Sequence, residues 1–154
     1  MKKLLTAVIL SMFASLTYAQ TFDDYMEIVR DVLNTEKKAA VAEAMQLSED
    51  VSAPFWELYN EYQFSLGKLH NQRIALIKDF AKNYENMSDE KADELWMGSM
   101  RYQQDLLKLK KSYYKKFKKI LPAGQASKYF QIENKIDALI NAELAAQIPL
   151  IETE

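Results

Sequence analysis

The chain has 154 residues, 49% of them hydrophobic and 27% charged, with one His, no Cys, three Gly and three Pro. Without Cys there is no disulfide framework, thiolate metal centre or lipidated cysteine, so a folded domain rests on its apolar core. Scarce Gly and Pro, abundant Ala, Leu, Lys, Glu and Gln, and no alternation of apolar with polar residues exclude a β-rich fold and predict an all-α one.

At the N-terminus Lys2 and Lys3 precede an apolar run from Leu4 to Leu16, then Thr17-Tyr18-Ala19 with small residues where a signal peptidase reads. This predicts a secretory signal over residues 1–19, cleaved after Ala19, and a periplasmic product. The run is too short for a bilayer core, which takes about 20 residues, and no later segment approaches that length. No stable membrane insertion is therefore expected. The signal holds Lys2 and Lys3, so residues 20–154, expected to form a single all-α domain, keep 18 basic against 22 acidic side chains. Residues 20–61 carry ten acids and three bases, whereas 101–119 carry eight bases (Arg101, Lys108, Lys110, Lys111, Lys115, Lys116, Lys118, Lys119) and Asp105 alone.

Four helices are expected, at about 22–45, 48–84, 88–120 and 123–146. Val29, Val32, Leu33 and Ala40 supply the apolar face of the first. In the second, Phe55, Leu58/Tyr59, Tyr62, Leu66, Leu69, Leu76/Ile77, Phe80 and Tyr84 recur every three or four residues and form one stripe. Ser88, an N-cap with acids in the following turn, opens the third, where Leu95, Tyr102, Leu106, Leu109, Tyr113, Phe117 and Ile120 do the same. Only Glu85-Asn86-Met87 separates these two helices, so they fold back antiparallel into a hairpin about 50 Å long. Phe130, Ile136, Leu139, Ile140 and Leu144 face the fourth helix inward, and Pro149 ends it. The fold class is thus a long antiparallel helical hairpin flanked at its open end by two shorter helices; a thin hairpin without a third layer can complete its core as a homodimer.

A pattern sixteen residues long recurs. Leu47 to Tyr62 align without a gap on Leu121 to Ile136, matching Leu47 with Leu121, Phe55-Trp56 with Tyr129-Phe130, and Asn60 with Asn134. Each copy begins an amphipathic helix, so the duplication describes two similar corners joined by the hairpin. The plainest role for Leu47 and Leu121 is a staple, an apolar residue before the first turn that packs back on the helix. The aromatic pairs read as core where the flanking helices meet the hairpin, and the two Asn as partners of nearby backbone.

A secreted helical hairpin with a Leu-led helix start on either side resembles the Spy/CpxP family of periplasmic stress proteins, whose mark is a twice-occurring Leu-Thr-x-x-Gln motif. Leu121-Pro122-Ala123-Gly124-Gln125 keeps the Leu and the Gln with Pro in place of Thr; Leu47-Ser48-Glu49-Asp50-Val51 keeps a hydroxyl in Ser48 and lacks the Gln. The resemblance covers most of residues 40–145. It implies an ATP-independent periplasmic chaperone of the envelope stress response, or a sensor or regulator, often a curved dimer that cradles clients.

Lys108 to Ile120 is the candidate working surface. On a helix Lys108, Lys111, Lys115 and Lys118/Lys119 share a flank, Leu109, Tyr113, Phe117 and Ile120 bury, and Tyr114 lies at the boundary. Such a flank offers charge to acidic stretches of an unfolded or misfolded envelope protein, and alkyl stems and rings to its apolar stretches. The bland alternative is a solvated face that pairs with the acids of residues 20–61. Nucleic acid is not an expected partner outside the cytoplasm, although an anionic membrane would meet the same charge.

No cofactor or metal is expected, because His70 has no second His or Cys at ligand spacing, and Met97 and Met100 read as gap-filling core. Nor is an enzyme, since no nucleophile, base and orienting group come together and no Gly-rich loop presents them. Pairs such as Asp89/Asp93 and Glu90/Glu94 are accounted for by the helix dipole. Two functions remain: a chaperone binding unfolded clients through the basic and aromatic surface, or a non-catalytic periplasmic regulatory module docking on one envelope partner.

Overall fold

The computed structural model describes residues 35–152. The expected signal at 1–19 and the first part of the predicted 22–45 helix, with Val29, Val32 and Leu33, lie outside the described residues. The chain divides into two compact units, 1–41 and 42–154. Of the first, residues 35–41 are helical, and that helix runs on to residue 45.

The second unit is built from three helices: α1 (Glu49–Asn83), α2 (Asp89–Phe117) and α3 (Ala123–Gln147). Among the described residues there is no strand. The fold is all-α.

Gln46 takes a left-handed φ of 46° where the preceding helix ends. The chain then turns into α1 at Ser48, whose carbonyl accepts from the Ser52 N–H at 3.0 Å, with Glu49 and Asp50 in the first turn against the positive helix end. At the far end the Asn83 amide donates to the Asp79 carbonyl at 2.7 Å, and one turn of 3-10 helix, Tyr84–Asn86, reverses the chain. Ser88 caps α2 by accepting from the Lys91 N–H at 3.2 Å. The hairpin follows from this tight reversal. Lys91 bridges back to Asp79 at 3.3 Å, and nearby an ideal Cβ on Gly98 would lie only 2.6 Å from a Leu76 methyl, so the two helices approach closely there.

Tyr62 meets Tyr113 with ring centroids 5.1 Å apart, and the Arg73 guanidinium lies 5.8 Å from the Tyr102 ring centroid, which sets the antiparallel register. Phe55, Tyr59, Tyr62 and Leu66 from α1 and Leu95, Tyr102, Tyr113 and Phe117 from α2 are buried, as the apolar stripes predict. Leu69, Leu76, Ile77, Phe80 and Tyr84 of the same stripe are only half-buried. The core is concentrated at the base.

α2 stops three residues short of the predicted Ile120. Its last turn loosens, with the Lys119 N–H donating to Lys116 and the Ile120 N–H to Phe117, and Pro122 then opens α3. The last helix does more than flank the open end: it runs back up the hairpin as a third layer. Tyr129 packs on Phe117 at 4.7 Å, Gln63 reaches Glu133, and Arg73 Nη1 donates to Asn141 at 2.6 Å. The expected thin two-helix layer is thus completed within the chain over its basal half. Ile136 and Leu144 are half-buried as part of the expected inward face, but Leu139 of that face is 73% exposed and Ile140 36%. The inward row of α3 is set instead by Ala126, Tyr129, Phe130 and Glu133.

Candidate functional site

Of the eight bases on one segment Arg101 is exposed, and the seven lysines differ in what they meet once α2 is placed. Lys110 turns toward α3, where Nζ donates to Asp137 at 2.5 Å and to Asn134 at 2.9 Å. Lys116 turns toward α1, reaching Glu61 at 3.4 Å with its Nζ 4.3 Å from the Tyr113 ring centroid. Lys110 thus ties α2 to α3 through a largely buried pair, whereas the Lys116 contact is open to solvent. Lys108, Lys111, Lys115, Lys118 and Lys119 are all exposed. Lys108 pairs with Asp105 one turn back at 3.0 Å, a solvent-screened contact. Lys118 lies over the Tyr114 ring at 5.2 Å, and Lys111, Lys115 and Lys119 make no ion pair among the described residues. Tyr114 belongs half to the bundle, because its hydroxyl hydrogen-bonds to Ser127 at 3.1 Å and its ring stands edge-on to Phe130 at 5.7 Å.

The same side of α2 carries apolar groups nearer the hairpin tip. Trp96 is 64% exposed, Met97 50% and Leu107 53%. Met97 is therefore not the core residue that a methionine on a helix suggests. Trp96 and Leu107 were legible in principle: the periodicity that turns Leu95, Tyr102 and Tyr113 inward turns both of them outward.

The repeat residues have structural roles. Leu47 and Leu121 both stand just before a helix N-cap, Ser48 and Pro122, so the duplication is the same corner twice. Leu121 is buried and Leu47 half-buried; Ser48 lends its side chain to Asp50, holding that carboxyl below its usual range, and makes no cap bond to an amide. Phe55 stands edge-on to Tyr129 at 5.3 Å and packs on Phe117 at 5.4 Å. Trp56, half-buried, meets Phe55 at 5.1 Å and Tyr59 at 5.2 Å, and Phe130 closes on Tyr62 at 5.6 Å. Asn134 accepts from Lys110 rather than from backbone, whereas Asn60 and Gln125 are exposed.

Beneath the aromatic cluster lies a buried polar group that apolar periodicity does not reveal. Glu133 is fully buried, and its Oε1 accepts from Gln63 Nε2 at 3.0 Å, while the same amide donates to the Tyr129 hydroxyl at 3.3 Å. Burial, and secondarily the charge of Glu133, pushes the Tyr59, Tyr62 and Tyr129 hydroxyls above the ordinary phenol range. Tyr102 is raised by burial as well, against the opposing charge of Arg73. Tyr59, Tyr62, Tyr102, Tyr129 and Glu133 are all buried and belong to the packed core of the bundle.

Among the described residues no three His, Cys, Asp or Glu side chains are grouped so as to hold a metal ion, and no helix is long and apolar enough to cross a membrane. The outer side of α2 offers exposed cations, long alkyl stems and a few exposed apolar side chains along one helix. No family model, no curated protein and no solved structure matches the chain.

Proposed function

We propose that the protein is an ATP-independent periplasmic chaperone of the envelope stress response, which holds unfolded or misfolded envelope proteins against the outer face of α2. The observation that carries this reading is the set of exposed lysines at 108, 111, 115 and 118 on the same outer side of α2 as exposed Trp96 and Leu107. Lysine stems cover apolar groups while their heads remain in water, and mixed contacts of this kind accept many sequences without demanding one. The resemblance of the hairpin and its repeated corners to the Spy/CpxP family supports the same reading, as does the signal-like N-terminus.

The test is suppression of aggregation of a chemically denatured model protein by the secreted form, without nucleotide, at low and high salt. Protection that salt weakens, and that a Lys108→Glu/Lys111→Glu/Lys115→Glu variant loses, is the expected result. No protection at several-fold molar excess would discard chaperoning in favour of a regulatory module with one envelope partner, to be sought by cross-linking.

A further inference from the structure

The outer face of α2 extends beyond the lysine segment, and its two halves differ in chemistry. From Trp96 to Leu107 it presents apolar groups: Trp96, Met97 and Leu107 are exposed and Met100 is half-buried. From Lys108 to Lys118 it presents cations. Trp96, Leu107 and Lys118 lie eleven residues apart, about three helical turns, so they fall on one line about 33 Å long. Nearby carboxylates include Asp93, exposed just before the apolar half, and Asp105, which pairs with Lys108 at 3.0 Å.

We infer that this strip selects client segments in which an apolar stretch adjoins an acidic one, a substrate class that rests on the chaperone reading above. Charge complementarity identifies the acidic part, because Lys111 and Lys115 have no carboxylate partner among the described residues. Trp96, Met97 and Leu107 leave water only when the partner brings apolar side chains to them. Neither half suffices alone: solvent and salt screen the cations, and three apolar side chains bury little area. An extended chain spans 33 Å in about ten residues, so about five of each kind complete the match.

Fluorescence anisotropy with labelled peptides of about that length tests the inference. One peptide has an apolar block followed by an acidic block, a second has the same composition scrambled, and two more carry only the acidic or only the apolar block in a neutral Ser background. The two-block peptide is expected to bind about tenfold tighter than the scrambled one, the order of effect of burying one large apolar side chain. Trp96→Gln/Leu107→Gln lowers its affinity to that of the acidic peptide, and Lys111→Glu/Lys115→Glu to that of the apolar peptide. These residues point outward, and circular dichroism checks that both variants stay folded. Equal binding of two-block and scrambled peptides, or indifference to both variants, overturns the inference. Binding of phosphatidylglycerol vesicles without binding of any peptide overturns it too, and assigns the strip to a lipid surface. Aggregation suppression run in parallel separates the two ideas: suppression that persists while the peptides fail to discriminate leaves the chaperone reading standing without this selectivity, and loss of both ends both.

Discussion

Phe55 and Tyr129, which hold the same place in the two repeat copies, meet edge to face with ring centroids 5.3 Å apart and planes at 83°. The duplicated corners therefore build one core between them. Both side chains are fully buried, and each also packs on Phe117 of α2. Phe55→Ala is expected to cost about 3–5 kcal/mol, the usual range for emptying a buried aromatic site. Trp56→Ala, at a half-buried position, is expected to cost less. Urea unfolding followed by circular dichroism measures both, and equal costs would argue against this centre of packing.

Neighbouring lysines should behave oppositely. Lys110→Ala strands the Asp137 carboxylate, whose side chain is only 15% exposed, and should cost about 1–3 kcal/mol and speed hydrogen exchange in α3 from Asp137 onward. Lys111→Ala removes an exposed charge and should change stability by no more than about 0.5 kcal/mol. Thermal melts of the two variants, with exchange read by mass spectrometry, make the comparison.

Much of this was legible in the amino-acid order. The stripes through Phe55, Tyr59 and Tyr62 and through Tyr102, Tyr113 and Phe117, with a three-residue link, require an antiparallel hairpin. The path of α3 was not legible, because it is held by pairs such as Gln63–Glu133 and Lys110–Asp137 that lie far apart in the chain and leave no periodic trace. Glu133 reads as a surface residue for the same reason, and Leu139 as a core one. Of the candidate surface, the exposed lysines were foreseen; Trp96 and Leu107 lie out of phase with the core stripe, and a search for buried residues passes over them.

Alkaline pH should unfold the protein steeply. Tyr62 and Tyr129 have hydroxyls raised above the value of 10.0 that they hold when free, mainly by burial and next by Glu133. In the unfolded chain they ionise above that pH; in the folded one they remain neutral. The stability they contribute is thus fully present below pH 10 and is lost as pH rises, by about 1.4 kcal/mol per tyrosine per pH unit. Stability measured across that range by denaturant titration should fall, and Tyr62→Phe should flatten the slope. A flat profile would contradict the burial of these hydroxyls.

Close approach near the hairpin tip makes Gly98 sensitive to size. Gly98→Ala places a Cβ 2.6 Å from a Leu76 methyl, which can swing aside because Leu76 is half-buried, so the gain of about 1 kcal/mol in helix propensity offsets the crowding. Gly98→Val adds two methyls and should cost about 1–3 kcal/mol. Leu76→Ala in the Gly98→Val background should recover part of that loss. A double-mutant cycle of unfolding free energies measures the coupling, and strict additivity would rule out the contact.

The proposed function puts clients on the outer face of α2. A photo-reactive amino acid placed singly at Leu107, Lys111 and Lys115, and for comparison at the exposed Phe64 on α1, would report it directly on illumination with a denatured client protein. Cross-links at the three α2 positions, suppressed by high salt at 111 and 115, with little at 64, are the predicted result. Equal or stronger cross-linking at 64, or none at the α2 positions, would place clients elsewhere and overturn the proposed function.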